Sequence, residues 1–184
     1  MEALLIGIPF MIFIYLRIRL GQDVTPQEYD EILFKEGVGY YNNADFLAAF
    51  RYFNLAVLNY PKSSTAYLYR GKCHYYFENW EAALADFEKS IRIDNALAET
   101  FRWKALCHYH LEDYKMSLFE LKRASRMYLD KNPEVMRMIG ELEFRTADFE
   151  SAEKSFKIAA RLGDNQSTQL LKTLFFGYSK KASS

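Results

Sequence analysis

Residues 71–93 read GKCHYYFENWEAALADFEKSIRI, and this stretch decides the fold class. Apolar side chains recur at helical spacing up to Tyr76, and they do so again from Trp80 onward. The short polar turn Glu78-Asn79 separates the two parts. The stretch therefore predicts two helices joined by a tight turn.

The same pattern recurs along the chain with a period of 34 residues. The first helix of each predicted hairpin carries the related segments Gly37–Tyr41, Gly71–Tyr75, Ala105–Tyr109 and Gly140–Phe144, the last after a step of 35 residues. The second helix opens with Asp45-Phe46, Asn79-Trp80, Asp113-Tyr114 and Asp148-Phe149. A repeat of this length predicts a solenoid, because one hairpin does not bury its own apolar face and needs a stacked neighbour.

This pattern resembles the tetratricopeptide repeat (TPR) family over about residues 30–166, in the units 30–63, 64–97, 98–132 and 133–166. The chain departs from the family at repeat position 11, which is aromatic only at Tyr40, and at position 32, which is proline only at Pro61. The resemblance implies an all-α, right-handed superhelix of helical hairpins. Residues 167–179 suit a C-terminal capping helix, and residues 180–184 form a polar tail.

Composition excludes several classes of function. The chain has 184 residues, with 24 Lys+Arg and 24 Asp+Glu, so its net charge of zero argues against a nucleic-acid partner. Two cysteines are too few for a disulfide scaffold. The pairs Cys73-His74 and Cys107-His108 point about 100° apart on a helix, which disfavours a metal site. No catalytic motif is found, so we expect neither enzyme activity nor a cofactor.

The N-terminal residues 3–16, ALLIGIPFMIFIYL, form an uncharged apolar run. As a helix this run spans only about 21 Å, whereas a bilayer core is about 30 Å thick. Our main prediction is nevertheless an N-terminal hydrophobic, membrane-spanning helix over residues 1–20, followed by a linker over residues 21–29. Arg17 and Arg19 would place the repeats on the cytoplasmic side. A cleaved signal peptide and a buried helix of a soluble protein are the alternatives.

The resemblance to the TPR family implies that the first helices line a concave groove, which binds an extended peptide or a partner's helix. The predicted groove residues are Phe34, Tyr41, Tyr69, Lys72, Tyr75, Tyr76, Arg102, Trp103, Tyr109, Arg137, Phe144 and Arg145. Four of them form an aromatic column at repeat position 12, which serves either as a stacking wall for a partner or as internal packing. The cations favour an apolar or aromatic partner that carries some acidic residues, and a solvated mixed face is the alternative.

One partner class is disfavoured by the sequence. TPR proteins that hold Hsp70 or Hsp90 tails use Lys and Asn at positions where this chain has Phe34, Val38 and Tyr69. The functional prediction is a membrane-anchored scaffold, adaptor or assembly subunit that binds other complex subunits or client peptides. The alternative is a soluble regulatory or self-associating module whose apolar N-terminus packs on its own repeats.

Overall fold

The structure, a computed structural model, describes residues 11, 12, 14, 15 and 26–175. Their regular structure is helical throughout. The helices are α1 (Pro26–Leu33), α2 (Lys35–Asn42), α3 (Phe46–Asn59), α4 (Ser64–Tyr76), α5 (Trp80–Ile93), α6 (Ala98–His110), α7 (Tyr114–Met127), α8 (Pro133–Arg145), α9 (Phe149–Arg161) and α10 (Asn165–Leu170). A π-helical turn, Leu171–Phe175, extends α10.

The helices pair as the repeat predicts. Helices α2–α3, α4–α5, α6–α7 and α8–α9 form hairpins, and the second helix of each hairpin also packs against the first helix of the next. Helix α10 closes the stack against α9. The prediction of an all-α solenoid of helical hairpins is confirmed.

Each hairpin turn uses the same backbone device. A non-glycine residue adopts positive φ, at Ala44, Glu78, Glu112 and Ala147. The next residue is the N-cap of the second helix. In three of the four hairpins it is an aspartate whose side chain accepts a cap hydrogen bond, as Asp45 does from the amide of Ala48 at 3.0 Å. An aspartate at this position satisfies a helix-terminal N–H that has no partner within the helix. The recurring Asp or Asn is therefore a local signal for where each second helix begins.

The hairpins close through a small residue facing a phenylalanine. A methyl group added at Gly71 would lie 2.6 Å from Cε1 of Phe87, and one added at Gly140 would lie 2.8 Å from Cδ1 of Phe156. Both phenylalanine rings are fully buried. The glycines are thus required by close approach, since a side chain there would push the two helices of the hairpin apart.

The predicted N-terminal membrane anchor is contradicted. Within residues 11, 12, 14, 15 and 26–175, no helix combines the length and the apolar character needed to cross a bilayer. The prediction of a single-pass protein with its repeats on the cytoplasmic side is therefore wrong. Its physical weakness is that the apolar run of residues 3–16 is shorter than a span and is followed by two arginines. Residues 1–10, 13 and 16–25 lie outside the described part, and so do residues 176–184.

Candidate functional site

Successive first helices lie side by side along one surface of the solenoid, which we call the inner face. An ion pair between Lys72 Nζ and Glu99 Oε1, 2.8 Å long, joins α4 to α6. A second pair, between Arg102 Nη1 and Glu134 Oε1 at 3.0 Å, joins α6 to α8. The Tyr41 ring of α2 lies 5.4 Å from the Tyr69 ring of α4. The inner face therefore consists of α2, α4, α6 and α8, the helices that the resemblance assigned to the groove.

A buried lysine occupies the middle of the inner face. Lys72 is only 3% exposed, and its ammonium lies 4.1 Å from the ring centroid of Tyr69. The ring centroids of Tyr41 and Trp103 are 5.3 and 5.7 Å away. Three neighbouring helices, α2, α4 and α6, thus surround one cation with aromatic rings, an arrangement stabilised by cation–π attraction.

Glu99 closes this aromatic cage from the open side. Trp103 Nε1 donates to Glu99 Oε1 at 3.1 Å, so the tryptophan and Lys72 both engage the same oxygen. Burial lowers the pKa of Lys72, and Glu99 opposes that shift. Burial also works to raise the pKa of Glu99, but Lys72 and Trp103 outweigh it and hold this pKa below its usual range. The carboxylate is therefore ionised at neutral pH.

A row of aromatic rings borders the inner face where the first helices end and the second helices begin. We call it the aromatic ridge, and it comprises Phe46, Tyr76, Trp80, Tyr109, His110, Tyr114, Phe144 and Phe149. Phe46 stacks on Tyr76 with ring centroids 3.9 Å apart, and Trp80 stacks on His110 at 4.3 Å. The ridge meets the cage of Lys72 where the rings of Tyr76 and Trp103 lie 6.1 Å apart.

The aromatic column at repeat position 12 packs within the chain. Tyr41 contacts Tyr69, Tyr75 contacts both Trp80 and Trp103, Tyr109 contacts Tyr114, and Phe144 contacts Phe149. The Tyr75 hydroxyl also lies 2.9 Å from His110 Nε2. These rings stabilise the ends of the hairpins. Among the column and ridge rings, Tyr76, Tyr109 and Phe149 keep more than a third of their surface exposed.

The remaining predicted groove residues divide between the interior and the surface. Phe34 is buried against Phe53 and Tyr60, so it offers no surface to a partner. Arg137 lies on the inner face and pairs with Glu141 at 2.6 Å. Arg145 lies at the ridge and donates to the Tyr114 hydroxyl at 2.7 Å.

Several ridge residues were not among the predicted groove residues. Phe46, Trp80, Tyr114 and Phe149 recur at one repeat position, which the family pattern assigns to filling the space between helices. The repeat period could have identified these residues, because the aromatic ring at the start of each second helix lies beside the ring at the end of the first helix. His110 gave no such signal, since its partners Tyr75 and Trp80 come from the preceding repeat.

The chain has two adjacent cysteine–histidine pairs, Cys73-His74 and Cys107-His108. Within the described part of the chain, no group of three or more His, Cys, Asp and Glu side chains is placed to hold a metal ion. Cys73 and Cys107 are buried free thiols, and burial raises the pKa of each to about 12. A thiol with so high a pKa is a poor nucleophile at neutral pH.

A cavity of about 320 Å³ opens beside Glu99, at the edge of the inner face. Its walls include Thr65, Leu68, Tyr69, Leu97, Glu99 and Tyr128. The cavity gives the inner face a depression of mixed apolar and polar lining, large enough for one or two side chains of a bound segment.

No protein-family model matches this chain, and no curated protein matches it. Solved structures do share its fold. A crystal structure of MamA gives a TM-score of 0.66 at 15% identity, covering 84% of this chain and 87% of that chain. MamA from residue 41 to its end, from Desulfovibrio magneticus RS-1, gives 0.65 at 18% identity, covering 90% and 91%.

The first TPR of Spaghetti (RPAP3), bound to the HSP90 peptide SRMEEVD, is also similar in fold. It gives a TM-score of 0.59 at 11% identity, covering 63% of this chain and 91% of that chain. Identities this low show a common fold alone. The chain therefore has a tetratricopeptide-like solenoid fold.

Proposed function

We propose that this chain is a protein-interaction scaffold that holds a segment of a partner protein against its inner face. The observation that carries the proposal is the aromatic ridge. Tyr76 and Tyr109 remain 45% and 37% exposed although other rings already pack against them. Tyrosines fixed in this way give a partner a large contact area at little entropic cost, which is the usual chemistry of binding hot spots.

A non-catalytic role is favoured by the polar groups of the inner face. Lys72 pairs with Glu99, Arg102 with Glu134 and Arg137 with Glu141. These charges neutralise one another across and along the helices. A catalytic site instead directs several polar groups toward one shared space where the reacting atoms lie.

The acidic HSP90 peptide in the RPAP3 structure is a ligand of that protein, and we do not propose it for this chain. Phe34 occupies one position where tail-binding TPR proteins have a lysine, and it is buried. Lys72, the cation at the middle of the inner face, already carries the carboxylate of Glu99. A ligand carboxylate would have to displace that internal partner.

Self-association is a second candidate function, and the outer surface of α3 favours it. Leu47, Leu55 and Leu58 are all more than half exposed there. Terminal units of solenoids usually carry a polar outer face, so an apolar one indicates a covering element. Sedimentation of the full chain and of Leu55→Asp tests this candidate: a dimer that the substitution dissociates would support it, and a monomer in both cases would refute it.

Site-specific crosslinking tests the scaffold proposal. A photo-crosslinking amino acid replaces Tyr109 in the full chain, and the matched control carries it in place of Lys154, which is exposed on α9. We expect one partner to crosslink from position 109 and not from position 154. The double substitution Tyr76→Ala and Tyr109→Ala should reduce recovery of the same partner about tenfold or more. Equal crosslinking from both positions would refute the proposal.

A further inference from the structure

The three ion pairs of the inner face share one orientation: the cation is the buried member and the carboxylate is the exposed one. The side chains of Lys72 and Glu99 are 4% and 42% exposed. Those of Arg102 and Glu134 are 17% and 53% exposed. Those of Arg137 and Glu141 are 19% and 41% exposed. A partner approaching this face therefore meets carboxylates first, although equal numbers of both charges are present.

Contacts within the chain keep the three cations away from the surface of the inner face. Lys72 lies inside its aromatic cage, and the guanidinium of Arg102 lies 5.1 Å from the ring centroid of Trp103. Arg137 also approaches Asp164, with Nε 3.6 Å from Oδ2. These contacts screen the positive charges from the groove, because the rings and acids that surround them take up the space where a ligand would approach.

The carboxylates, in contrast, keep part of their binding capacity. In all three pairs the cation contacts Oε1, and in Glu99 the indole N–H donates to this same oxygen. A carboxylate has two oxygens and about four lone-pair sites, so each glutamate is able to accept from a second cation. The exposed rings of the adjoining ridge also attract cations, arginine above all.

We propose that the segment bound by the inner face is basic, with Lys or Arg side chains between apolar or aromatic anchors. This inference rests on the proposed scaffold function and names the partner's chemistry. It reverses the sequence-based expectation of an apolar or aromatic partner that carries some acidic residues. Arg145 donates to the Tyr114 hydroxyl, and its guanidinium lies 5.6 Å from the ring centroid of Tyr109, so it repels a basic residue at that part of the ridge. The basic residues therefore belong over α4 and the first turns of α6 and α8.

Peptide binding tests this inference directly. Three fluorescein-labelled peptide pools share the same apolar positions and differ only in the residues between them, which are Lys/Arg, Ser/Asn or Asp/Glu. Binding to the full chain is followed by fluorescence anisotropy. At about 50 mM salt we expect the basic pool to bind about tenfold tighter than the neutral pool and the acidic pool to bind weakest. At about 500 mM salt this difference should shrink, because exposed charges are then screened.

Matched variants show whether the glutamates are responsible. Glu134→Gln together with Glu141→Gln should weaken the basic pool about threefold or more and leave the neutral pool unchanged. Glu153→Gln is the control, since Glu153 lies on α9, is 39% exposed and pairs with Lys157 four residues on. It should change neither affinity. If the double variant does not fold, the single variant Glu134→Gln tests the same point at the most exposed of the three carboxylates.

The outcomes separate this inference from the proposed function. If the neutral or acidic pool binds best and Tyr76→Ala weakens that binding, the scaffold proposal stands and the basic partner is refuted. The basic partner is also refuted if the glutamate variants bind the basic pool as tightly as the unmodified chain. If no pool binds, or if neither Tyr76→Ala nor Tyr109→Ala changes the affinity, the inner face is not a peptide site and both proposals fail.

Discussion

Replacing Glu99 by glutamine removes the charge that faces the buried ammonium of Lys72. Breaking a fully buried ion pair from one side costs about 3–5 kcal/mol, because the other charge is left without compensation. Glu99 is 42% exposed, so water reduces this cost, and the rings of the cage and the glutamine oxygen reduce it further. We therefore expect Glu99→Gln to lower the free energy of unfolding by about 2 kcal/mol.

Substitution of the other member of the ion pair, Lys72, should lower the free energy of unfolding much less. Lys72→Met places an apolar thioether among Tyr41, Tyr69 and Trp103, where sulfur–aromatic contacts are favourable. The abandoned carboxylate of Glu99 reaches water, since it lies on the open side of the cage. We expect a loss of less than about 1 kcal/mol. The prediction is thus an asymmetry between the two members of one ion pair.

Urea denaturation of the full chain measures both free energies, and the double variant completes a thermodynamic cycle. Lys72→Met with Glu99→Gln should be about as stable as Lys72→Met alone, because the glutamine lowers stability only while the buried ammonium is present.

In thermal unfolding, a loss of about 2 kcal/mol corresponds to a fall in the midpoint temperature of about 4–8 °C for a chain of this length. Glu153→Gln, in an exposed pair, should shift nothing measurable. If Lys72→Met costs as much as Glu99→Gln, or if the two effects simply add, the reasoning about the cage is refuted.

Three further predictions use the same full chain. Gly71→Ala should lower the free energy of unfolding by about 1–3 kcal/mol, because the added methyl group lies 2.6 Å from a buried ring. Gly39→Ala should raise the free energy of unfolding by about 0.5–1 kcal/mol, because open space surrounds the added methyl group. Equal effects of the two substitutions would contradict the close-packing argument. Cys73 and Cys107 should react with a thiol reagent at pH 8 far more slowly in native than in urea-unfolded protein, and rapid native labelling would show that they are accessible. Burial lowers the pKa of His74 in the folded chain below its ordinary value of 6.5, so the unfolded chain binds the proton first as the pH drops. The free energy of unfolding should therefore fall between pH 6.5 and the folded pKa, and His74→Gln should make that fall less steep. An unchanged slope would refute the assignment to His74.

The fold was predictable because its signals are local and repeated. The period of 34 residues, the Asp or Asn that opens each second helix, and the glycine that faces a ring each depend on residues within one hairpin. The position of Phe34 was not predictable in this way. The backbone departs from regular helix there, with φ −102° and ψ 15°, and the ring turns into the interior against Phe53 and Tyr60. That turn depends on how α1 meets α2 and α3, which no single repeat specifies.

The candidate site was likewise predictable only in part from the sequence. The resemblance of the repeat pattern to the TPR family indicated that the first helices line the inner face, and the period of the pattern placed an aromatic ring near the end of each of them. The exposure of each charge depended on the tertiary structure. Lys72 is buried because Tyr41, Tyr69 and Trp103 approach it from three helices, and Glu99 stays exposed because it lies at the mouth of that cage. Contacts between repeats therefore bury Lys72 and most of Arg102, and leave their partners Glu99 and Glu134 more exposed on the inner face of this neutral chain.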